Sequence, residues 1–272
     1  MIYKEERIGD ATLRFYVLSN YQEIDINRRR AMVLICPGGG YHFCSNREAE
    51  AVAIRFNSLG YNAAVLFYST APFDSYDEIP DSWEGVWPKP LEELAASVAY
   101  IRTNADQLNT DRDKIAVLGF SAGGHLATSI GVFWPEYGEK CRPNALVLCY
   151  SVITSGPLAH EGSIRNLIGN REELREKVSL EKQVSGLTPP SFIWTTRTDH
   201  SVPYENSVMF RDALERFGVR NEFVLYEGSN GHGYSLGTDE VSSARHPGVI
   251  SEVHDWPEKV DGFLVSIFGS RF

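Results

Sequence analysis

Ser121 lies at the centre of Gly119-Phe120-Ser121-Ala122-Gly123, and Asp199 and His232 follow it along the chain. These three residue types together can attack a carbonyl carbon. A serine hydroxyl is a poor nucleophile until a neighbouring base takes its proton; that base is normally a histidine, itself oriented by a carboxylate. The chemistry implied is acyl transfer through Ser121, with His232 as general base and acid and Asp199 as its orienter. The order Ser, Asp, His differs from the His, Asp, Ser and Asp, His, Ser orders of two other serine hydrolase classes.

Such a set works only if the fold brings it together. The apolar run Ile115-Ala116-Val117-Leu118 reads as a buried strand, and residues 124–130 as the start of a packed helix. A serine on the sharp turn between them is pushed out with its hydroxyl accessible. Side chains at 119 or 123 would collide with the neighbouring elements, so both flanks are glycine. The helix also points its N-terminal amides at the site, which favours negative charge there. Asp199 comes after a strand at 191–196 and before Val202-Pro203 and a helix at 204–217. His232 comes after a strand at 222–226, within Glu227-Gly-Ser-Asn-Gly-His-Gly233. Parallel sheets gather functional groups at the carboxyl ends of their strands, where all three residues stand.

Gly38-Gly39-Gly40 follows another apolar strand at 31–36. Successive glycines let backbone amides approach a ligand closely, as an oxyanion site requires. The partner donor is expected to be the amide after the nucleophile, that of Ala122. Among the other histidines, His200 is expected to be a bystander and His125 to be packed in its helix. His42 is placed to line the pocket, and His160, His246 and His254 receive no role. Tyr41, Trp83, Trp87 and Trp134 offer stacking faces for a sugar ring. The loop at 69–90 follows a strand at 61–68 and should overhang the site, setting Trp83 and Trp87 to wall an acyl pocket.

Between these points the pattern alternates. Residues 11–18 read as a half-buried edge strand, 47–58 as an amphipathic helix ended by Gly60, and 90–104 as a further helix. Residues 145–150 read as a strand, 155–186 as a polar stretch with one or two short helices, and 256–268 as the last helix. Alternation of this kind predicts an α/β fold: a mostly parallel sheet with helices on both faces. No Pro/Ser/Gly-rich linker interrupts it, so a single domain over 1–272 is expected.

The chain has 272 residues, 43% hydrophobic and 23% charged, an ordinary globular composition. A net charge of −10 argues against a nucleic-acid partner, which needs clustered Lys and Arg; Arg28-Arg29-Arg30 precedes a strand and is expected to be solvated. No apolar run approaches the ~20 residues that span a membrane. The N-terminal residues 1–7 are charged and carry no leader-like apolar stretch. Cys36, Cys44, Cys141 and Cys149 show no metal-ligand spacing, and a reducing cytoplasm is the expected compartment. No metal or organic cofactor is implied.

These residues carry a resemblance that covers nearly the whole chain. Pro37-Gly-Gly-Gly-Tyr41, Pro88-Lys-Pro-Leu91, Gly119-Phe-Ser-Ala-Gly-Gly-His125, Asp199 with Val202-Pro203 and Asn206-Ser207, and Gly231-His232-Gly233 resemble the α/β-hydrolase superfamily. More closely, they are similar to its small acetyl esterases, often grouped with xylan and other carbohydrate esterases. The resemblance implies an α/β-hydrolase fold without a large cap domain and a relatively open site. It implies Ser121 as nucleophile, His232 as base, Asp199 as orienter, and Gly39, Gly40 and Ala122 as oxyanion donors. It also implies removal of small acyl groups, acetyl first, from a small-molecule or oligosaccharide ester, and leaves a homo-oligomer open. The alternatives are a general short-chain carboxylesterase, an amide-cleaving relative such as a formamidase or peptidase, and a catalytically dead binding module. Hormone-sensitive-lipase relatives carry His-Gly-Gly-Gly where this chain has Pro37, which bears on the pose of the loop.

Overall fold

The computed structural model describes residues 1–73, 78–228, 231–243 and 252–272. Ser229 and Asn230, in the loop that carries His232, and His246 lie outside the described residues, as does part of the 69–90 loop. Eight strands form one sheet: β1 (Ile2–Ile8), β2 (Ala11–Val17), β3 (Arg30–Cys36), β4 (Asn62–Phe67), β5 (Thr110–Phe120), β6 (Ala145–Cys149), β7 (Ser191–Thr196) and β8 (Asn221–Tyr226). Their order across the sheet is β1-β2-β4-β3-β5-β6-β7-β8. β2 runs antiparallel to both β1 and β4; every pair from β4 to β8 is parallel.

The central strands are apolar on both faces because both faces are covered. Along β3, Met32, Leu34 and Cys36 enter one core, while Ala31, Val33 and Ile35 enter the other. The first core is closed by α2 (Lys89–Thr103), α3 (Ala122–Tyr137), α4 (Glu161–Ile168), α5 (Arg175–Val178) and α6 (Glu205–Arg216). The second is closed by α1 (Glu50–Ser58) and α7 (Trp256–Phe268), through Val52, Phe56, Trp256, Val260 and Phe263. α3 is buried on all sides from Ala122 to Trp134, which explains its lack of a polar stripe. Among the described residues, no helix is long and apolar enough to cross a membrane.

Two local expectations need correcting. The charged N-terminal residues form β1, so 11–17 is an interior strand and β1 takes the edge. The charges of Lys4, Glu5, Glu6 and Arg7 suit an edge that must not pair with another chain, and Arg14 on β2 meets Glu5 at 2.7 Å. The helix expected at 47–58 is split. A 3-10 turn covers Asn46–Glu48, Ala49 breaks it, and α1 begins only at Glu50. The Glu48 side chain is buried on the far side of that break.

Candidate active site

Ser121 closes β5 and opens α3 with φ 53° and ψ −118°. A side chain held in such a sparsely populated region costs of order 1–3 kcal/mol. Three backbone bonds oppose that cost. The Ser121 amide donates to the Cys149 carbonyl at 3.0 Å, and the Ser121 carbonyl accepts from the His125 and Val152 amides, each at 3.1 Å. The turn leaves no room beside it. A Cβ on Gly119 would lie 2.1 Å from the Gly123 carbonyl oxygen, and one on Gly123 would lie 2.1 Å from that of Cys36.

The ends of β5, β7 and β8 bring three side chains into one hydrogen-bonded line. His232 Nε2 lies 2.8 Å from Ser121 Oγ, and His232 Nδ1 lies 2.6 Å from Asp199 Oδ2. The Asp199 carboxylate is fixed from behind: Oδ1 accepts from the Ser201 amide at 2.9 Å and the Val202 amide at 2.8 Å. With a carboxylate at Nδ1, that nitrogen carries the proton, and Nε2 is left as the acceptor facing the serine hydroxyl. Ser121 and Asp199 are buried, at 9% and 6% exposure, so little water competes for these bonds. Tyr150 meets the His232 ring edge-on with centroids 4.9 Å apart. His200 is exposed.

The glycine loop after β3 turns sharply, with φ 127° at Gly39, 66° at Gly40 and 57° at Tyr41. The Gly39 carbonyl accepts from the His42 and Phe43 amides at 3.0 and 3.2 Å, and a Cβ on Gly39 would lie 2.1 Å from the Phe43 carbonyl oxygen. Asn166 Nδ2 donates to the Gly40 carbonyl at 2.8 Å and so ties the loop to α4. Ala122 is the first residue of α3, where an amide has no intrahelical acceptor. Among the described residues, the amides of Gly39, Gly40 and Ala122 donate to no backbone carbonyl outside regular elements. Donors of this kind suit an oxygen on which negative charge develops.

The aromatic expectations fare differently. Tyr41 turns inward: it is 1% exposed, and its hydroxyl lies 2.9 Å from His125 Nδ1. It therefore offers no open stacking face, and its role is to anchor the glycine loop. His125 Nε2 in turn donates to the Val178 carbonyl at 2.9 Å, so Tyr41 is the donor to Nδ1. Burial lowers the His125 pKa to about 4, which keeps the ring neutral. Trp87 is also turned into the core, packing edge-on against Phe133 on α3. Trp83 is half-buried; its indole NH donates to the Asn166 carbonyl at 3.2 Å, and Phe73 packs against its ring. The loop is laced to α4, with the Val86 amide on the Asn166 carbonyl and the Trp87 amide on that of Leu167. Trp134 is buried too and bonds the Leu187 carbonyl.

Other residues at the site gave weaker signals in the sequence. His160 caps α4, its Nδ1 accepting from the Ser163 amide at 3.2 Å. Burial lowers its pKa, helped by His232 and opposed by Asp199. Asn206 accepts from the Ile153 and Thr154 amides, which fixes the chain leaving β6 against α6. Glu48 and Tyr150 lie behind His232. The trace of Glu48 in the sequence is its spacing, four and eight residues before Val52 and Phe56, although Ala49 breaks the chain out of the helix between Glu48 and α1.

Known proteins similar to this chain are α/β hydrolases and esterases. The model of the prolyl oligopeptidase family matches residues 90–247, and the model BD-FAE matches residues 24–141. Endo-1,4-beta-xylanase B of Butyrivibrio fibrisolvens is 38% identical over 82% of this chain, and the matched part is 35% of that protein. The acetylxylan esterase of Xylanibacter ruminicola is 29% identical over 77% of this chain and 42% of its own length. The chain thus spans well under half the length of these two curated relatives. Among solved structures, the acetyl ester-xyloside bifunctional hydrolase from Caldicellulosiruptor lactoaceticus superposes with a TM-score of 0.79 at 32% identity, covering 96% of this chain and 89% of that one.

Proposed function

Because the chain belongs to the acetyl and xylan esterase family of the α/β-hydrolase superfamily, we propose that it is a serine esterase that removes small acyl groups, acetyl first, from carbohydrate esters. The observation that carries this is the unbroken line from Ser121 Oγ through His232 to Asp199, with the Gly39, Gly40 and Ala122 amides donating to no backbone carbonyl outside regular elements among the described residues. The acetyl group and the sugar are supported by the relatives: one is an acetylxylan esterase and another an acetyl ester-xyloside hydrolase.

In this mechanism Ser121 Oγ attacks the ester carbonyl carbon while His232 Nε2 takes its proton. The carbonyl oxygen becomes an oxyanion facing the amides of Gly39, Gly40 and Ala122. Asp199 holds the imidazole in the tautomer that can accept and stabilises the imidazolium that forms. The intermediate collapses, the sugar alkoxide leaves with the proton from His232, and an acyl-serine remains. Water then repeats the sequence: His232 takes its proton, the acyl carbon is attacked, and the carboxylic acid departs as Ser121 is restored.

With Tyr41 and Trp87 in the core, acyl selectivity would come from the packing around the buried Ser121 rather than from their rings. In a packed site each surplus methylene must displace neighbouring atoms, so longer acyl chains should be accommodated progressively less well. The expected result is a fall in kcat/KM from acetyl through butyryl to octanoyl p-nitrophenyl esters, with acetate released from acetylated xylo- or manno-oligosaccharides. Octanoyl preferred over acetyl, with no acetate from any acetylated sugar, would replace this function with that of a general carboxylesterase.

A further inference from the structure

Arg47 and Glu48 lie at the 3-10 turn after the glycine loop, far in sequence from His232, yet they bond to both sides of the site. Glu48 Oε2 accepts from the Gly38 amide at 2.8 Å, and Glu48 Oε1 accepts from the Tyr150 hydroxyl at 2.6 Å. The Tyr150 oxygen also accepts from the Ser235 amide at 2.9 Å, three residues beyond His232, while the Tyr150 ring backs the imidazole. Arg47 Nη1 donates to the Gly233 carbonyl at 2.8 Å and its Nε to that of Val241, and Ser235 Oγ donates back to the Arg47 carbonyl at 2.6 Å. A Cβ on Gly38 would lie 2.7 Å from Glu48 Oε2, so the carboxylate sits directly against the glycine loop. Tyr150 is held at φ 38°, a conformation that a tyrosine rarely adopts.

A carboxylate enclosed in this way is costly, and α1 begins after it without using it. We propose that Glu48 is a positioning residue for the serine chemistry: its carboxylate clasps the glycine loop to Tyr150 and so sets the oxyanion amides relative to the imidazole of His232. The inference rests on the serine-esterase function above. The Gly38 amide and the Tyr150 hydroxyl meet at this one side chain, so losing it loosens the oxyanion amides relative to the imidazole even though Arg47 still holds the His232 loop. Burial raises the Glu48 pKa, and the hydrogen bonds from the Tyr150 hydroxyl and the Gly38 amide, then the neighbouring His232 and Arg47, oppose that rise; Tyr68, Cys149 and Tyr150 also face it, and burial pushes their own pKa values up. His232 faces Asp199 and, more distantly, His160.

The test uses Glu48→Gln, Tyr150→Phe and the double variant in the full chain, assayed on p-nitrophenyl acetate across pH. A misplacement near 1 Å costs roughly 10²-fold, so Glu48→Gln should lose about that much kcat with KM unchanged. A side chain that merely supports the fold would not lower kcat while leaving KM in place. The double variant should lose no more than Glu48→Gln alone, because both residues belong to one linkage. Parent-like kcat in folded Glu48→Gln, or losses that multiply in the double variant, would overturn the proposal. If Glu48→Gln does not fold, Tyr150→Phe decides: a lower kcat at unchanged KM supports it and a parent-like kcat overturns it. Ser121→Ala, run alongside, separates the two levels: hydrolysis surviving there defeats the serine mechanism itself, whereas hydrolysis lost there but intact in Glu48→Gln defeats only the positioning role.

Discussion

Ser121→Ala should lose roughly 10⁴- to 10⁶-fold in kcat on p-nitrophenyl acetate, down to the residual rate that oxyanion donors and binding alone can sustain. The substitution removes one oxygen. The Cβ and the strained turn at φ 53° are shared by serine and alanine, and the hydroxyl's bond is to His232. The elbow's backbone bonds to Cys149, His125 and Val152 survive, so circular dichroism and Tm should match the parent. Activity within tenfold of the parent in a folded variant would remove Ser121 from the mechanism.

Asp199→Asn should cost nearly as much, roughly 10⁴-fold, for a different reason. An asparagine oxygen can still accept from the Ser201 and Val202 amides, which fixes the side chain as the aspartate is fixed. Its NH₂ then faces His232 Nδ1, which must become the acceptor. The ring proton moves to Nε2 and points at Ser121 Oγ, where an acceptor is needed. His200→Ala is the matched control: His200 is adjacent in sequence but exposed, and its loss should leave the rate unchanged. A crippled His200→Ala beside an active Asp199→Asn would mean that the base had been misassigned.

The parts of this site that were legible in the sequence are those with a steric or positional signature. The elbow is legible because no other residue fits where Gly119 and Gly123 sit. Asp199 and His232 are legible because a parallel sheet collects its functional groups at strand ends. What was hidden depends on side-chain direction. Tyr41 and Trp87 stand on the right loops, but an aromatic ring beside a site packs inward as readily as outward, and here both rings fill core space. The charged residues of β1 mask an edge strand because its alternation is polar on both faces. Glu48 sits in register with an apolar helix stripe, yet only the meeting of the glycine loop, Tyr150 and the His232 loop shows why a carboxylate is buried there.

The most direct test of the account is the identity of the nucleophile. The protein is incubated with a fluorophosphonate, followed by intact mass and peptide mapping alongside residual hydrolysis. One phosphonyl group per chain is expected, carried by Ser121, with activity lost in proportion to its occupancy and no adduct on Ser121→Ala. Hydrolysis continuing undiminished with Ser121 fully labelled, or inactivation through an adduct on another residue while Ser121 stays unmodified, would contradict it.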